Sequence, residues 1–416
     1  MLNTLHALYP ELYGKNYSEA EMDSRFTALK DEHKRLFSKD NPMIFSAAGR
    51  TEIAGNHTDH NLGLVIGASI NLDTIAAVSK RDDNIVILAS EGFPVVEVDI
   101  SDDEIKEDEK NTTHALIRGI AAAFRAKGVE LKGWEANSST KVLKGSGLSS
   151  SAAVEVLAAE IFNNLYNEDA FTPVEIAKIG QFAENVYFGK PSGLLDQTCC
   201  AHGGVVGIDF KDNKNPQITP LAVDFSAYGY SMVITDTKGS HADLTGEYAA
   251  VPPEMRDVAK YYGKENLRDV EFGDFLNDIS KIRETINNDR AILRAYHYFT
   301  ENERVKAMLE SLSANDIDTF LYLVEESGNS SFRFLQNVYP SSAPASQGLS
   351  IAIAISENIL EGDGAVRVHG GGFAGTIQAY VPENMVQKYI KAMEGLFGEG
   401  CCTIIAIRQK PVARIY

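Results

Sequence analysis

The sequence predicts an α+β fold in two parts, and three observations carry that reading. Between residues 43 and 100, short apolar runs follow one another with little polar interruption, as the strands of a sheet do. Residues 151–166 place Val154, Leu157, Ala158, Ile161 and Leu165 on one apolar stripe at helical spacing. In the later half, helical stretches alternate with strand-like ones.

Residues 1–40 read as helical and charged, and the polar run ending at Pro42 closes them. Residues 43–48 form a short strand before Gly49. Residues 64–80, 84–89 and 95–100 extend the sheet. A helix over 111–127, a strand over 134–143 and helices over 151–166 and 174–188 follow. Residues 205–210 and 228–236 read as strands on either side of a polar, proline-containing stretch at 212–220. The domain boundary is expected there, giving an N-terminal domain over 1–217 and a C-terminal α+β domain over 218–416. Beyond it, helices are expected at 291–298, 303–314 and 317–327, and strands at 365–369 and 376–381.

The chain has 416 residues, with 39 Lys plus Arg against 58 Asp plus Glu, a formal net charge of −19. Phosphate polyanions would be repelled, which argues against a nucleic-acid or membrane-surface partner. A small phosphorylated ligand is not excluded, because oriented backbone N–H groups can hold a phosphate on an acidic protein. The four cysteines fall in two adjacent pairs, Cys199 with Cys200 and Cys401 with Cys402, without zinc spacing. They read as reduced, structural thiols. The start of the chain lacks the basic, apolar pattern of a signal peptide, and no stretch reaches the ~18 apolar residues of a membrane span. A soluble cytoplasmic protein is expected.

Three segments carry chemistry. The first, AAGRTEIAGNHTDHN, packs Arg50, Glu52, Asn56, His57, Asp59 and His60 into eleven positions. Such a density of donors and acceptors suits a polyol, whose hydroxyls both donate and accept. A solvated turn, a metal site at His57, Asp59 and His60, and a satisfied core histidine are the competing readings. The second, KGSGLSSSAAVEV, is a Gly–Ser loop (Lys144, Gly145, Ser146, Gly147, Leu148) feeding the clearest helix. Ser149 or Ser150 can cap that helix, and its first N–H groups, near Ser151, suit a phosphate. No Walker A sequence occurs, and a flexible loop before a capped helix is the alternative. The third, RVHGGGFAGTIQAYV, sets Gly370, Gly371, Gly372 and Gly375 between strand-like pieces, where backbone must pass close to a ligand or another segment. A tight turn between strands is its plainer reading. Between the second and third lies AENVYFGKPSGLLDQ, with Glu184 in a helix and Asp196 after a Pro–Ser–Gly turn.

In this order the segments resemble the galactokinase branch of the kinases that include homoserine kinase, mevalonate kinase and phosphomevalonate kinase. GRTEIAGNHTDHN resembles the sugar signature G-R-x-N-L-I-G-E-H-x-D-Y-x. GSGLSSSAA resembles the ATP-phosphate loop, GKPSGLLDQ the segment of the catalytic aspartate, KGSHADLTGEYAAV a later sugar-contacting segment, and RVHGGGFAGTIQAYV the third motif. The resemblance implies a two-domain small-molecule kinase with its active site in the interdomain cleft, using ATP and Mg²⁺. It implies Asp196 as base with Arg50 beside it. Asn56, His57, Asp59, His60, Gly193 and Tyr248 would contact the sugar. Residues 144–151, Gly371 and Gly372 would contact nucleotide, and Ser150 and Glu184 would hold the metal. Four positions depart from the pattern: Glu52 for Asn, Asn56 for Glu, His60 for Tyr, and Leu143 for Pro. The expected reaction is phosphorylation of the anomeric hydroxyl of galactose by a monomer or weak dimer. Galacturonate or another galacto-configured sugar is the alternative, because Asn56 removes a negative charge while His57 and His60 could add positive charge. A non-catalytic sugar sensor is the third reading.

Overall fold

The computed structural model describes residues 1–142, 147–190, 192–239 and 244–416. Its strands are β1 (Met43–Ala54), β2 (Leu64–Lys80), β3 (Ile85–Ser90), β4 (Val96–Asp99), β5 (Trp134–Thr140), β6 (Val205–Asp209), β7 (Gln217–Leu221), β8 (Tyr230–Asp236), β9 (Ala365–Val368), β10 (Thr376–Pro382), β11 (Cys402–Ile405) and β12 (Ala413–Arg414). The first sheet runs β12-β1-β2-β5-β3-β4. One end of β2 pairs with β5 and the other with β6, which pairs with β7. The second sheet is antiparallel, in the order β11-β8-β10-β9. The first sheet thus continues past residue 217 and receives the C-terminal β12.

Both long strands are buried on two faces, so they read as near-continuous apolar runs rather than alternating ones. β1 does not stop at residue 48. Its register with β2 shifts around Gly49, from Ala48 opposite Asp73 to Arg50 opposite Ser69, and pairing resumes to Ala54. Polar residues beyond Gly49 disguised the strand because Arg50 and Glu52 are buried, not solvated.

Helices Thr113–Ala126, Ser150–Tyr166, Pro173–Phe182 and Leu195–His202 share one apolar core with the first sheet, including Phe45, Ile66, Trp134, Val156 and Phe162. Residues 174–188, expected as one helix, are α-helical only to Phe182. A wider π-helical turn, Ala183–Phe188, follows and contains Glu184. Residues 291–314, expected as two helices, form one, Asp289–Ser313. The polar triplet Thr300, Glu301 and Asn302 looks like a break, but Glu301 and Asn302 are buried and bonded to the β1–β2 connection. Glu301 accepts from Gly55 N at 3.0 Å and Asn302 from Leu64 N at 2.7 Å. Helices Thr245–Tyr261, Phe272–Ile286, Gly348–Leu360 and Val386–Phe397 were not anticipated. All four cysteines are free thiols. Among the described residues, no helix is long and apolar enough to cross a membrane.

Asp73 on β2 ties both ends of the chain to this sheet beneath β1. Fully buried, it accepts from Arg25 of the helix Glu19–Phe37 at 2.5 Å, from Ser46 at 2.6 Å and from Tyr13 at 3.1 Å, with Arg408 3.7 Å away. Burial pushes its carboxyl up, but Arg25 and Arg408 outweigh that and hold it below the usual aspartate range. Its contribution is therefore present above the unfolded pKa and lost as pH falls through the lowered one. Asp73→Asn leaves two buried guanidinium groups uncompensated. It should cost about 3–5 kcal/mol in chemical denaturation at neutral pH. A loss under 1 kcal/mol would show that the cluster does not hold the termini.

Candidate active site

A cavity of 170 Å³ opens where β1, the turn after it, residues 192–196 and the glycine turn after β9 converge. Arg50, Glu52, Asn56, His57, Asp59, His60, Gly193, Asp196, Gly370 and Gly371 line it. The structure thus brings the first segment, the Asp196 segment and the third segment to one place. Gly193 is needed there for space, since a Cβ on it would lie 2.9 Å from Asp59 Oδ2.

Arg50 is the hub. Its Nε donates to Asp196 Oδ1 at 2.7 Å, its Nη1 donates to the Gly147 carbonyl, and its backbone N donates to the Leu148 carbonyl at 3.1 Å. Asp196 stands in the first turn of the helix Leu195–His202. Its Oδ2 accepts from the Ser149 hydroxyl at 2.5 Å. Burial pushes the Asp196 carboxyl up. The charge and hydrogen bond of Arg50, the Ser149 hydroxyl and the charge of Lys190 outweigh this and leave it below the usual range. Asp196 is therefore an ionised carboxylate facing the cavity, able to accept a hydroxyl proton or hold one in line.

Ser149 holds the N-cap position of the helix Ser150–Tyr166 but does not cap it. Its backbone is left-handed, φ 56° and ψ 56°, and its hydroxyl is committed to Asp196. With no side-chain cap, the first helical N–H groups stay available to an anion. Leu148 is buried, and Gly147 is exposed at φ 72°. Lys144, Gly145 and Ser146 lie outside the described residues.

On the opposite wall, His57 Nε2 meets the Gly371 carbonyl at 2.9 Å, so that nitrogen carries the proton and Nδ1 is left as an acceptor. Burial, with His60 nearby, pushes His57 down to about 4. His57 is neutral at pH 7 and adds no positive charge, contrary to expectation. His60 Nε2 lies 3.6 Å from Asp59 Oδ1. The Asn56 amide donates to Glu52 Oε1 at 2.8 Å and to the Gly370 carbonyl at 2.6 Å, and accepts from Asn337 at 2.6 Å.

Other expected residues stand elsewhere. Tyr248 is not among the residues lining the cavity. Its hydroxyl donates to the Gly372 carbonyl at 2.8 Å, and its ring lies against Gly371, whose added Cβ would come within 2.5 Å. The loop before it, 240–243, is outside the described residues. Of the two glycines expected at the phosphates, Gly371 lines this cavity and its carbonyl meets His57, while the Gly372 carbonyl accepts from Tyr248. At Gly372, φ 79°, a Cβ would strike the Asn337 carbonyl at 2.1 Å. Glu184 is buried behind Asp196, with Lys190 on Oε1 and Gln197 on Oε2, both at 2.8 Å. Gln197 also donates to Glu155 at 3.0 Å; burial and the charge of Glu184 push Glu155 up to about 8. Sequence reasoning missed Glu155, Gln197, Asn337 and Glu301. The hydrogen-bonding residues of the helix Asp289–Ser313 alone left a signal, as polar interruptions of an apolar stripe.

The match to known proteins agrees with this geometry. Residues 31–80 match the galactokinase galactose-binding signature, and residues 115–204 match the GHMP kinases N terminal domain. A galactokinase of Streptomyces coelicolor is 30% identical over 371 residues, covering 88% of this chain and 92% of that one. A galactokinase of Actinobacillus pleuropneumoniae serotype 3 is 31% identical over 351 residues, covering 82% and 85%. In structure, Lactococcus lactis galactokinase complexed with galactose superimposes with a TM-score of 0.78 at 24% identity, over 94% of this chain and all of that one. Methanococcus jannaschii mevalonate kinase gives 0.63 at 14% identity, over 89% and 99%. With kinase-type motifs in one cleft and relatives matched along nearly their full length, this chain belongs to the galactokinase family, whose ATP-dependent sugar kinases share this α+β fold.

Proposed function

We propose that the protein transfers the γ-phosphoryl group of ATP to the anomeric hydroxyl of galactose, giving galactose 1-phosphate. The observation that carries this reading is the placement of Asp196. It is ionised, faces the sugar-sized cavity, and is bonded through Ser149 and Arg50 to the loop that opens the helix Ser150–Tyr166. The named galactose complex of the Lactococcus lactis relative supports galactose as the sugar.

Phosphoryl transfer is mainly positioning and charge stabilisation. The phosphates would lie on the uncapped N–H groups at Ser150 and Ser151, with the Gly147–Ser149 backbone beside them. Asp59 and the His57 Nδ1 would take ring hydroxyls. Asp196 would hold the anomeric hydroxyl in line and take its proton. Arg50 would keep Asp196 ionised and offset charge on the transferring group.

Mg²⁺ suits the oxygen donors behind this site. The Ser150 hydroxyl makes no protein hydrogen bond among the described residues, and Glu184 Oε1 is held only by Lys190, whose side chain is 58% exposed and can withdraw. Those two side chains would hold the ion, which supplies neutralisation of phosphate charge when bound.

ADP release should be measured with MgATP and a sugar panel of galactose, galacturonate, N-acetylgalactosamine, arabinose and glucose. Galactose should give the highest kcat/KM. Silence with every sugar would favour a sensor, and activity with another sugar alone would overturn galactose. Asp196→Asn should keep sugar binding in calorimetry and cut kcat by about 10²–10⁴. Near wild-type turnover would remove Asp196 from the role of base.

A further inference from the structure

We propose that Glu52, rather than Asn56, receives the hydroxyl on the exocyclic carbon of the sugar, and that it restricts the substrate to sugars uncharged at that carbon. The inference rests on the sugar-kinase reading and sharpens it.

Asn56 has little left to offer a ligand. Both amide hydrogens are used, on Glu52 Oε1 at 2.8 Å and on the Gly370 carbonyl at 2.6 Å. Its oxygen already accepts from Asn337 at 2.6 Å, and the residue is 1% exposed. These bonds orient Asn56 as a brace for the carboxylate beside it.

Glu52 is placed differently. Oε1 takes the Asn56 amide, with Arg367 at 3.5 Å, while Oε2 has no protein partner among the described residues, and the side chain lines the cavity. Oε2 is not one of the buried side-chain atoms left without a partner, so it opens to the cavity, where water meets it until a ligand donor takes its place. A sugar hydroxyl is such a donor. Glu52 lies two residues along β1 from Arg50, so both point to one side of the strand, about 7 Å apart along it. Arg50 holds the reacting end through Asp196, which leaves Glu52 at the far end of the ring.

The charge balance follows. The cavity wall carries Glu52, Asp59 and Asp196 against Arg50; His57 is neutral, and His60 stands beside Asp59, 3.6 Å away. Arg367 stands behind Glu52, committed to the Ile53 and Val368 carbonyls at 2.5 and 3.0 Å. A 6-carboxylate would confront Glu52 with no free cation beside it among the described residues. Relative to the signature quoted above, Asn and Glu have changed places between positions 52 and 56. The two side chains are bonded to each other, so the exchange keeps the pair and moves the carboxylate.

Burial lifts the Glu52 carboxyl, and Arg367, Arg50 and the Asn56 hydrogen bond pull it back, leaving it at about 6, with Asp59 opposing them. The groups facing it are Arg50 on β1, Asp59 on the following turn, Arg367 on β9 and His369, whose Nε2 accepts from Glu52 N at 3.4 Å. Burial holds His369 at about 3, so it does not titrate in this window.

The test is steady-state kinetics with galactose, 6-deoxygalactose and galacturonate on wild type, Glu52→Gln, Glu52→Asn and the exchanged Glu52→Asn/Asn56→Glu protein. Wild type should prefer galactose over both analogues by at least tenfold in kcat/KM, and its galactose KM should fall as pH rises through about 6. Glu52→Gln should raise the galactose KM at least tenfold with a smaller change in kcat. It should also flatten that pH dependence and narrow the margin over both analogues. The exchanged protein should recover most of the affinity that Glu52→Asn alone loses, which a merely structural role would not produce. Retained binding of a non-hydrolysable ATP analogue reports folding in each variant. Unchanged galactose KM and unchanged margins in folded Glu52→Gln would overturn the proposal. So would an exchanged protein no better than Glu52→Asn. Wild type inactive on all sugars would instead overturn the sugar-kinase reading.

Discussion

The site depends on one charge pair. Arg50 is buried on β1, where a guanidinium is tolerated only if its donors are met. Asp196 accepts from its Nε and the Gly147 carbonyl from its Nη1, while the Leu148 carbonyl takes the Arg50 backbone N–H. One interaction therefore sets three things. It keeps the Asp196 carboxyl ionised against its own burial, fixes the end of the Gly–Ser loop against β1, and locates the helix Leu195–His202 relative to the helix Ser150–Tyr166. Ser149 closes the ring by giving its hydroxyl to Asp196 instead of to its own helix. Leaving that terminus uncapped sacrifices about 1 kcal/mol of helix stability and leaves its N–H groups to an anion.

The cavity wall has a second support, from the helix Asp289–Ser313. His297 meets the Asn56 carbonyl at 2.9 Å, Tyr298 donates to the Asn61 carbonyl at 2.9 Å, and Glu301 and Asn302 take the N–H groups of Gly55 and Leu64. These bonds fix the β1–β2 connection, which carries His57, Asp59 and His60. His57 sits at φ 60°, a conformation such a ring adopts only when its surroundings hold it. Burial raises Glu301, and Arg304, His297 and Arg367 outweigh it to leave it at about 2, ionised throughout the physiological range.

Much of this was legible in the sequence because it is local. The Gly–Ser loop before an apolar stripe, the polar cluster from Arg50 to His60 and the run of glycines each declare themselves within fifteen residues. Their convergence on one cavity is long-range, and only the resemblance of motif order anticipated it. Three features were hidden for physical reasons. β1 continues past Gly49 because buried polar side chains satisfy one another there, which hydropathy cannot see. The helix Asp289–Ser313 runs through Glu301 and Asn302 because their partners lie some 240 residues away in the chain. Glu52 looked like a simple departure from a signature; only its bond to Asn56 shows the two positions to be one unit. Tyr248, given to the sugar by resemblance alone, donates its hydroxyl to the Gly372 carbonyl.

The central claim is that Arg50 holds Asp196 ionised against burial. The pH dependence of kcat at saturating galactose and MgATP, compared between wild type and Arg50→Gln, tests it most directly. In wild type the acid limb due to Asp196 should lie below the ordinary aspartate pKa of about 3.9. In Arg50→Gln burial acts unopposed by that charge, so the limb should move upward, toward neutral pH, with kcat reduced. An acid limb at the same pH in both proteins would contradict the account.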